Sequence, residues 1–230
     1  MSNAFQPDDP PDPDAPEIPL EPKDASTLIL VRGSGEGAEV LMGKRASGHA
    51  FMPDKYVFPG GRVDPGDADL AAADCLAPEV AALLEIEARL PARAYALAAI
   101  RETYEETGLF VAAKAQMAGT HPAFAARGLA PTLAPLRFIA RAVTPPARSR
   151  RFDARFFLGS AEDCLCSDCA PADTAELSDL RWFTWEEAFA LDLPSVTRFI
   201  LEEVRQRLAG QPLRPVYLRW SPQGHLTDRL

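Results

Sequence analysis

The order of apolar runs predicts an α/β fold, a mixed β-sheet sandwiched by helices with a long helical block in its first half. Three observations carry this. Short β-branched and apolar runs stand on both sides of a long block rich in Ala, Leu, Glu and Arg, which is helical composition. One of these runs ends in a proline and two glycines. An amphipathic segment closes the pattern, and strands flanking helices need a two-faced sheet to bury both apolar surfaces. With 230 residues, 47% of them hydrophobic, the chain suits one large domain better than two.

Residues 1–23 are acidic and proline-rich (DDPPDPDAPEIPLEP), with no basic and apolar leader pattern. They read as a disordered tail, not a targeting signal, and the domain is expected over 24–230. Residues 26–31 (STLILV) and 39–44 (EVLMGK) read as strands joined by the glycine-rich hairpin connection RGSGEGA. Residues 56–58 form a short strand running into Pro59, Gly60 and Gly61. The block 68–107 is helical, with Pro78 and Pro91 at first-turn positions, where a missing N–H costs nothing, and Gly108 as a C-terminal cap. Residues 135–142 and 152–158 read as strands separated by TPPARSR, and 180–184 as a further strand. Residues 185–191 begin a helix. A last helix over 194–208 carries Val196, Phe199, Ile200 and Val204 on one face. No internal repeat is visible.

A net charge of −9 argues against a nucleic-acid or anionic-membrane partner. No run approaches the roughly 20 apolar residues that span a bilayer, so a cytoplasmic protein acting on a small molecule is expected. An oligomer is compatible with the sequence. Cys164, Cys166 and Cys169 form a C-x-C-x-x-C cluster. With Cys75 or a histidine it fits a soft-metal site, but tetrahedral zinc favours two spaced ligand pairs, and a reduced cytosolic loop fits better. His49, His121 and His225 have no ligand spacing.

The segment 101–109 (RETYEETGL) carries the chemistry. On a helix Glu102, Glu105 and Glu106 stand at i, i+3 and i+4 and share one face. Unrelieved like charges so placed destabilise a helix, and a hard divalent cation held by oxygen ligands reverses that penalty. Alone, three glutamates are more often solvated surface. Here they follow a strand ending at Gly60 and Gly61, where backbone can approach a ligand closely.

Together these segments resemble the Nudix box, G-x5-E-x7-R-E-U-x-E-E-x-G-U with U a bulky apolar residue. Gly61, Arg101, Glu102, Glu105, Glu106, Gly108 and Leu109 fill the matching places. Asp67 stands at the first acidic position and Thr103 at the first U. The spacing between Gly61 and Arg101 is much longer than in the box. The extra residues are helix-forming, so the resemblance implies a helical hairpin over 68–94 looped out of an intact catalytic turn. A Nudix subfamily similar to the peroxisomal coenzyme A diphosphatases carries a long insertion at this place. Its signature, L-L-x-x-R-[SA]-x3-R-x3-G-x3-F-P-G-G, is half present. Leu41, Arg45, Ala46 and Phe58 match, whereas Ala50 and Asp54 replace the second arginine and the glycine.

The resemblance covers about 26–208 and implies a Nudix α/β/α sandwich that hydrolyses a diphosphate in a nucleoside-diphosphate-linked compound. It implies Mg2+ or Mn2+ on Glu105 and Glu106. Glu102 would be a further ligand or the base, and the Gly61 carbonyl another ligand. Arg101 would pair with Asp67 and brace the catalytic turn. Glu176, before Arg181 and Trp182, is a second candidate base, with a solvated loop acid as the alternative. Arg45 is either a substrate contact or a surface cation. Arg148, Arg150, Arg151 and Arg155 surround one hairpin, as phosphate contacts or as a solvated basic turn. Coenzyme A or an acyl derivative is the best substrate match. NADH and ADP-ribose are alternatives, as is a non-catalytic nucleotide sensor, which usually lacks one or more of these acids.

Overall fold

The computed structural model describes residues 12–48, 52–166, 170–221 and 224–230. Readings that fall on residues 1–11, His49, Ala50 and Cys169 lie outside them. In chain order the elements are β1 (Lys23–Arg32), β2 (Glu39–Arg45), β3 (Tyr56–Val57), β4 (Gly60–Arg62), α1 (Pro78–Leu84) and α2 (Ala92–Thr107). They continue with β5 (Ala112–Lys114), α3 (Pro122–Ala125), β6 (Leu129–Pro131), β7 (Arg137–Val143), β8 (Phe152–Ser160) and α4 (Ala161–Cys164). The chain finishes with β9 (Leu177–Thr184), α5 (Trp185–Ala190), α6 (Ser195–Leu208), β10 (Val216–Ser221) and β11 (Gly224–Arg229).

Among the described residues nine strands form one mixed sheet in the order β11-β10-β7-β8-β1-β2-β3, with β4 also on β1 and β9 on β2. The central pair β1 and β8 is parallel, and β1 turns back into β2 as the hairpin reading expects. Alternation along β1 divides the core, because successive side chains of a strand point to opposite faces. Leu28 and Leu30 pack with Tyr95, Leu97 and Ile100 of α2. Ile29 and Val31 pack on the other face with Ile200, Leu201 and Val204 of α6. The α/β/α sandwich follows from this division.

The insertion departs from the expected helical hairpin. The only α-helix wholly within it is α1, seven residues long, followed by a turn through Glu87 at φ 49°. Pro78 opens α1 and Pro91 sits at the N-cap of α2, so the prolines divide the segment. The rest is held irregular by specific bonds. The Asp74 carboxylate accepts from the Thr132 hydroxyl, Leu133 N–H and Ala134 N–H at 2.5, 2.5 and 3.0 Å. Leu84 is 1% exposed. The insertion is packed onto the body.

Residues 12–22, expected within the disordered tail, also make defined contacts. Asp12 accepts from Ser149, and Arg151 donates to the Leu20 carbonyl. No described helix is long and apolar enough to cross a membrane.

Candidate active site

Helix α2 is seated by its own composition. Small alanines at 94, 96, 98 and 99 are buried and let it lie close against β1 and β4. Thr103, at a position where a bulky apolar residue was expected, is fully buried and donates its hydroxyl to the Ala99 carbonyl at 2.7 Å. That bond satisfies the polar atom inside the helix. Gly108, at φ 73°, ends α2 as the sequence predicts.

The two glycines of β4 do different work. A Cβ on Gly60 would stand 2.5 Å from the Ser26 carbonyl of β1, so this glycine lets two strands close. Its N–H donates to Glu106 Oε2 at 2.8 Å. A Cβ on Gly61 would stand 2.5 Å from the Glu102 carboxyl group. Side-chain-free backbone thus faces both acids.

Arg101 braces the turn. Its Nε and Nη2 donate to both oxygens of Asp67 at 2.8 and 3.0 Å, and Nη2 also reaches the Arg62 carbonyl at 2.9 Å. Nη1 donates to Glu102 and Glu105 at 2.8 and 3.0 Å. Burial opposes the guanidinium charge, but Asp67 and Glu102 hold it above the ordinary arginine range. Asp67 is 2% exposed, so a shorter acid at the box's first acidic position still makes the two-point contact.

Burial pushes the Glu106 carboxyl up to about 8, with the Gly60 N–H and Arg45 opposing the shift and Glu102 and Glu176 adding to it. Burial also raises Glu102, against the pull of Arg101. A site that keeps two neighbouring carboxyls above their usual range favours a cation between them. Among the described residues, however, no three His, Cys, Asp or Glu side chains are gathered tightly enough to hold an ion. Glu105 is turned to Arg101 and its side chain is 45% exposed. The carboxylates share one helix face, but they do not by themselves close a cage. Mg2+ generally completes its shell with water and substrate phosphate.

Arg45 is half-buried and lies between the acids and an apolar chamber. Burial lowers its pKa, while Glu106 and Glu176 favour its charge. It is therefore not the surface cation of the alternative reading. Asp54, where the signature has glycine, adopts φ 62°, a left-handed conformation that Asp tolerates better than most side chains. Glu176 lines the acidic cleft with Glu102, Glu105 and Glu106, and its carbonyl accepts from Ala46 N–H at 3.1 Å.

Arg155 is a correction. It is fully buried, donating to Asp24 at 3.1 Å and lying 3.8 Å over the Tyr95 ring. It binds no substrate in that position; it ties β8 to β1 and α2. Arg151 donates to the Thr144 and Leu20 carbonyls, whereas Arg150 is exposed beside the cleft. Cys164 packs under Gly159, where a Cβ would stand 2.7 Å from its sulfur. Burial pushes its thiol up to about 12. Cys75 is exposed, on the insertion.

Sequence reasoning missed the chamber. It has a volume of about 470 Å3 and shares Arg45, Gly60, Gly61 and Phe152 with the cleft. Its far wall includes Trp220 and His225, whose rings meet edge to face at 5.0 Å. Those residues belong to a C-terminal hairpin that was not predicted.

A Nudix hydrolase from Alicyclobacillus acidocaldarius superposes with a TM-score of 0.62 at 28% identity, over 84% of this chain and 93% of that one. The chain has the fold of a Nudix hydrolase. Two further structures match less well. An Ap4A hydrolase of C. elegans has a TM-score of 0.48 at 16% identity, over 82% of this chain and 99% of its own. The Nudix domain of Shewanella oneidensis NrtR, solved with ADP ribose, has a TM-score of 0.48 at 14% identity, over 82% and 90%. No family model matches the sequence, and no curated protein does. On the Nudix fold, Gly61 and the box residues Arg101, Glu102, Glu105 and Glu106 come together at one end of α2. The match supports pyrophosphohydrolase activity for this fold.

Proposed function

We propose that this Nudix chain hydrolyses the diphosphate of coenzyme A or an acyl derivative, releasing 3′,5′-ADP and a phosphopantetheine. The observation that carries the reading is the junction at Arg45, Gly60 and Gly61, where an acid-lined cleft opens into an apolar chamber. A molecule with a charged diphosphate in the middle and a long, weakly polar arm fits both spaces.

The donor set suits a hard cation: one buried, one partly buried and one exposed carboxylate on a single helix face, beside a glycine whose missing Cβ leaves room at the Glu102 carboxyl group. Glu102, Glu105, Glu106 and the Gly61 carbonyl would hold Mg2+ or Mn2+. When bound, the ion supplies charge neutralisation on the phosphoryl oxygens and an acidified water. Water forms a bond to one phosphorus, the bridging P–O bond breaks, and a carboxylate takes the proton. Glu102 and Glu176 both line the cleft for that role. Arg45 orients the diphosphate, and Arg101 with Asp67 holds the catalytic turn rigid, as a positioning pair.

The test is a substrate panel with Mg2+ and Mn2+, products identified by mass spectrometry. Coenzyme A should give 3′,5′-ADP. Glu105→Gln and Glu106→Gln should stay folded while turnover falls by about two orders of magnitude or more. Near-normal turnover in both variants would overturn the site. Cleavage of ADP-ribose or NADH without coenzyme A would replace the substrate and keep the hydrolase.

A further inference from the structure

The segment before β1 grips the loop that walls both spaces. Asp12 Oδ2 accepts from the Ser149 backbone N–H at 2.8 Å and from its hydroxyl at 2.7 Å. Arg151 donates from Nη1 to the Leu20 carbonyl at 2.5 Å and from Nε to the Thr144 carbonyl at 3.0 Å. One guanidinium therefore joins the segment to both ends of the loop. Further along, Arg89 of the insertion donates to Glu21 and to the Pro22 carbonyl at 3.1 and 2.6 Å.

The loop, residues 144–151 between β7 and β8, has two faces. Residues 144–148 line the apolar chamber, and 149–151 line the acidic cleft. Leu20 and Glu21 line the cleft themselves. Among the described residues Arg150 makes no ion pair, so it stands on this wall as a cation available to an anionic substrate.

We propose that residues 12–22 form a strap that sets the position of loop 144–151, and through it the fit of the substrate's two arms, with Asp12 as the positioning residue. The proposal rests on the diphosphate-hydrolase reading. An acidic tail attracted only by neighbouring arginines would make exposed ion pairs of little worth. Asp12 instead takes a backbone N–H and a hydroxyl on one oxygen. Such a charge-assisted contact fixes local geometry.

The experiment compares Asp12→Ala and Asp12→Asn in the full chain, by kinetics on coenzyme A and by amide hydrogen exchange over residues 144–151. Asp12→Ala should raise KM about three- to tenfold, leave kcat within about twofold, and speed exchange at Ser149 and Arg150. Asn keeps a carbonyl oxygen able to accept both bonds without the charge, so it should recover most of the lost affinity. An unchanged or lowered KM in Asp12→Ala would overturn the strap. So would an Asn variant as impaired as Ala, since charge alone would then explain the effect. If the unaltered protein cleaves no diphosphate, the proposed function fails and exchange alone decides: unchanged exchange in Asp12→Ala overturns the strap as well.

Discussion

Glu106 takes the Gly60 N–H on one oxygen and is otherwise enclosed, so its charge is costly. Its carboxyl stands at about 8 against an ordinary 4.5. The folded protein therefore binds this proton more tightly than the unfolded chain. By linkage the associated stability is fully present below about 4.5 and is lost as pH rises through about 8. Burial shifts Glu102 in the same direction. In chelator, the thermal midpoint should fall between pH 4.5 and pH 8, and Glu106→Gln should flatten much of that slope. A midpoint that rises across the window, or parallel slopes in the two proteins, would contradict this account. The three acids were legible in the sequence because helical spacing puts them on one face and, with the glycine strand before them, they match the resembled box. Their unequal surroundings were not. Glu106 is 7% exposed and Glu105 is turned outward to Arg101, a difference set by the approach of β4, which no local pattern encodes. Arg155 misled for the same reason: its hairpin position was readable, but its orientation toward Tyr95 and Asp24 comes from tertiary packing.

At the scale of elements, the meeting of β4 with β1 and α2 separates two consequences of adjacent residues. An alanine at Gly60 would drive its methyl into the backbone of Ser26 and Thr27, which cannot yield without moving β1. Overpacking of this kind costs about 1–3 kcal/mol. At Gly61 the methyl meets only the mobile end of Glu102, which can swing aside. Gly60→Ala should therefore lower the denaturation midpoint clearly. Gly61→Ala should hold stability within about 1 kcal/mol while losing most turnover, because Glu102 is displaced from the site. Denaturant melts and kinetics on the same two preparations decide the matter, and equal stability losses would sink the distinction. The longer strands and the helix ends were visible beforehand, since apolar and β-branched runs, Pro78 and Gly108 are local signals. β5 and β6, three residues each, are too short to leave a pattern. The C-terminal hairpin did leave one. SPQG stands between two runs of strand-forming residues in VYLRWSPQGHLT, a usable turn signal.

For the whole molecule, the insertion and the segment 12–22 both proved to belong to the body. Composition marked the first as helical and the second as disordered, and each estimate left out what the remainder of the fold offered as a partner. Asp74 organises the backbone at residues 132–134, and Leu76 and Leu84 enter the same apolar cluster as Tyr95 and Ile100. Leu84→Ala should thus cost about 2–5 kcal/mol, as expected for a leucine removed from a packed core. A loss below about 1 kcal/mol in equilibrium unfolding would return the insertion to the status of a loose appendage.

The parallel ladder between β1 and β8 has a consequence for how the protein is made. Residues Lys23 to Val31 have as their register partners Phe152 to Ser160. A chain emerging from the ribosome therefore carries an apolar strand that cannot complete its pairing until well over half the sequence has been synthesised. Until then α2 can form locally, but the sheet beneath it is only half built. The strands that seat the acids, β1 and β4, and the helix that carries them are all made before β8, the strand that completes the sheet beside β1.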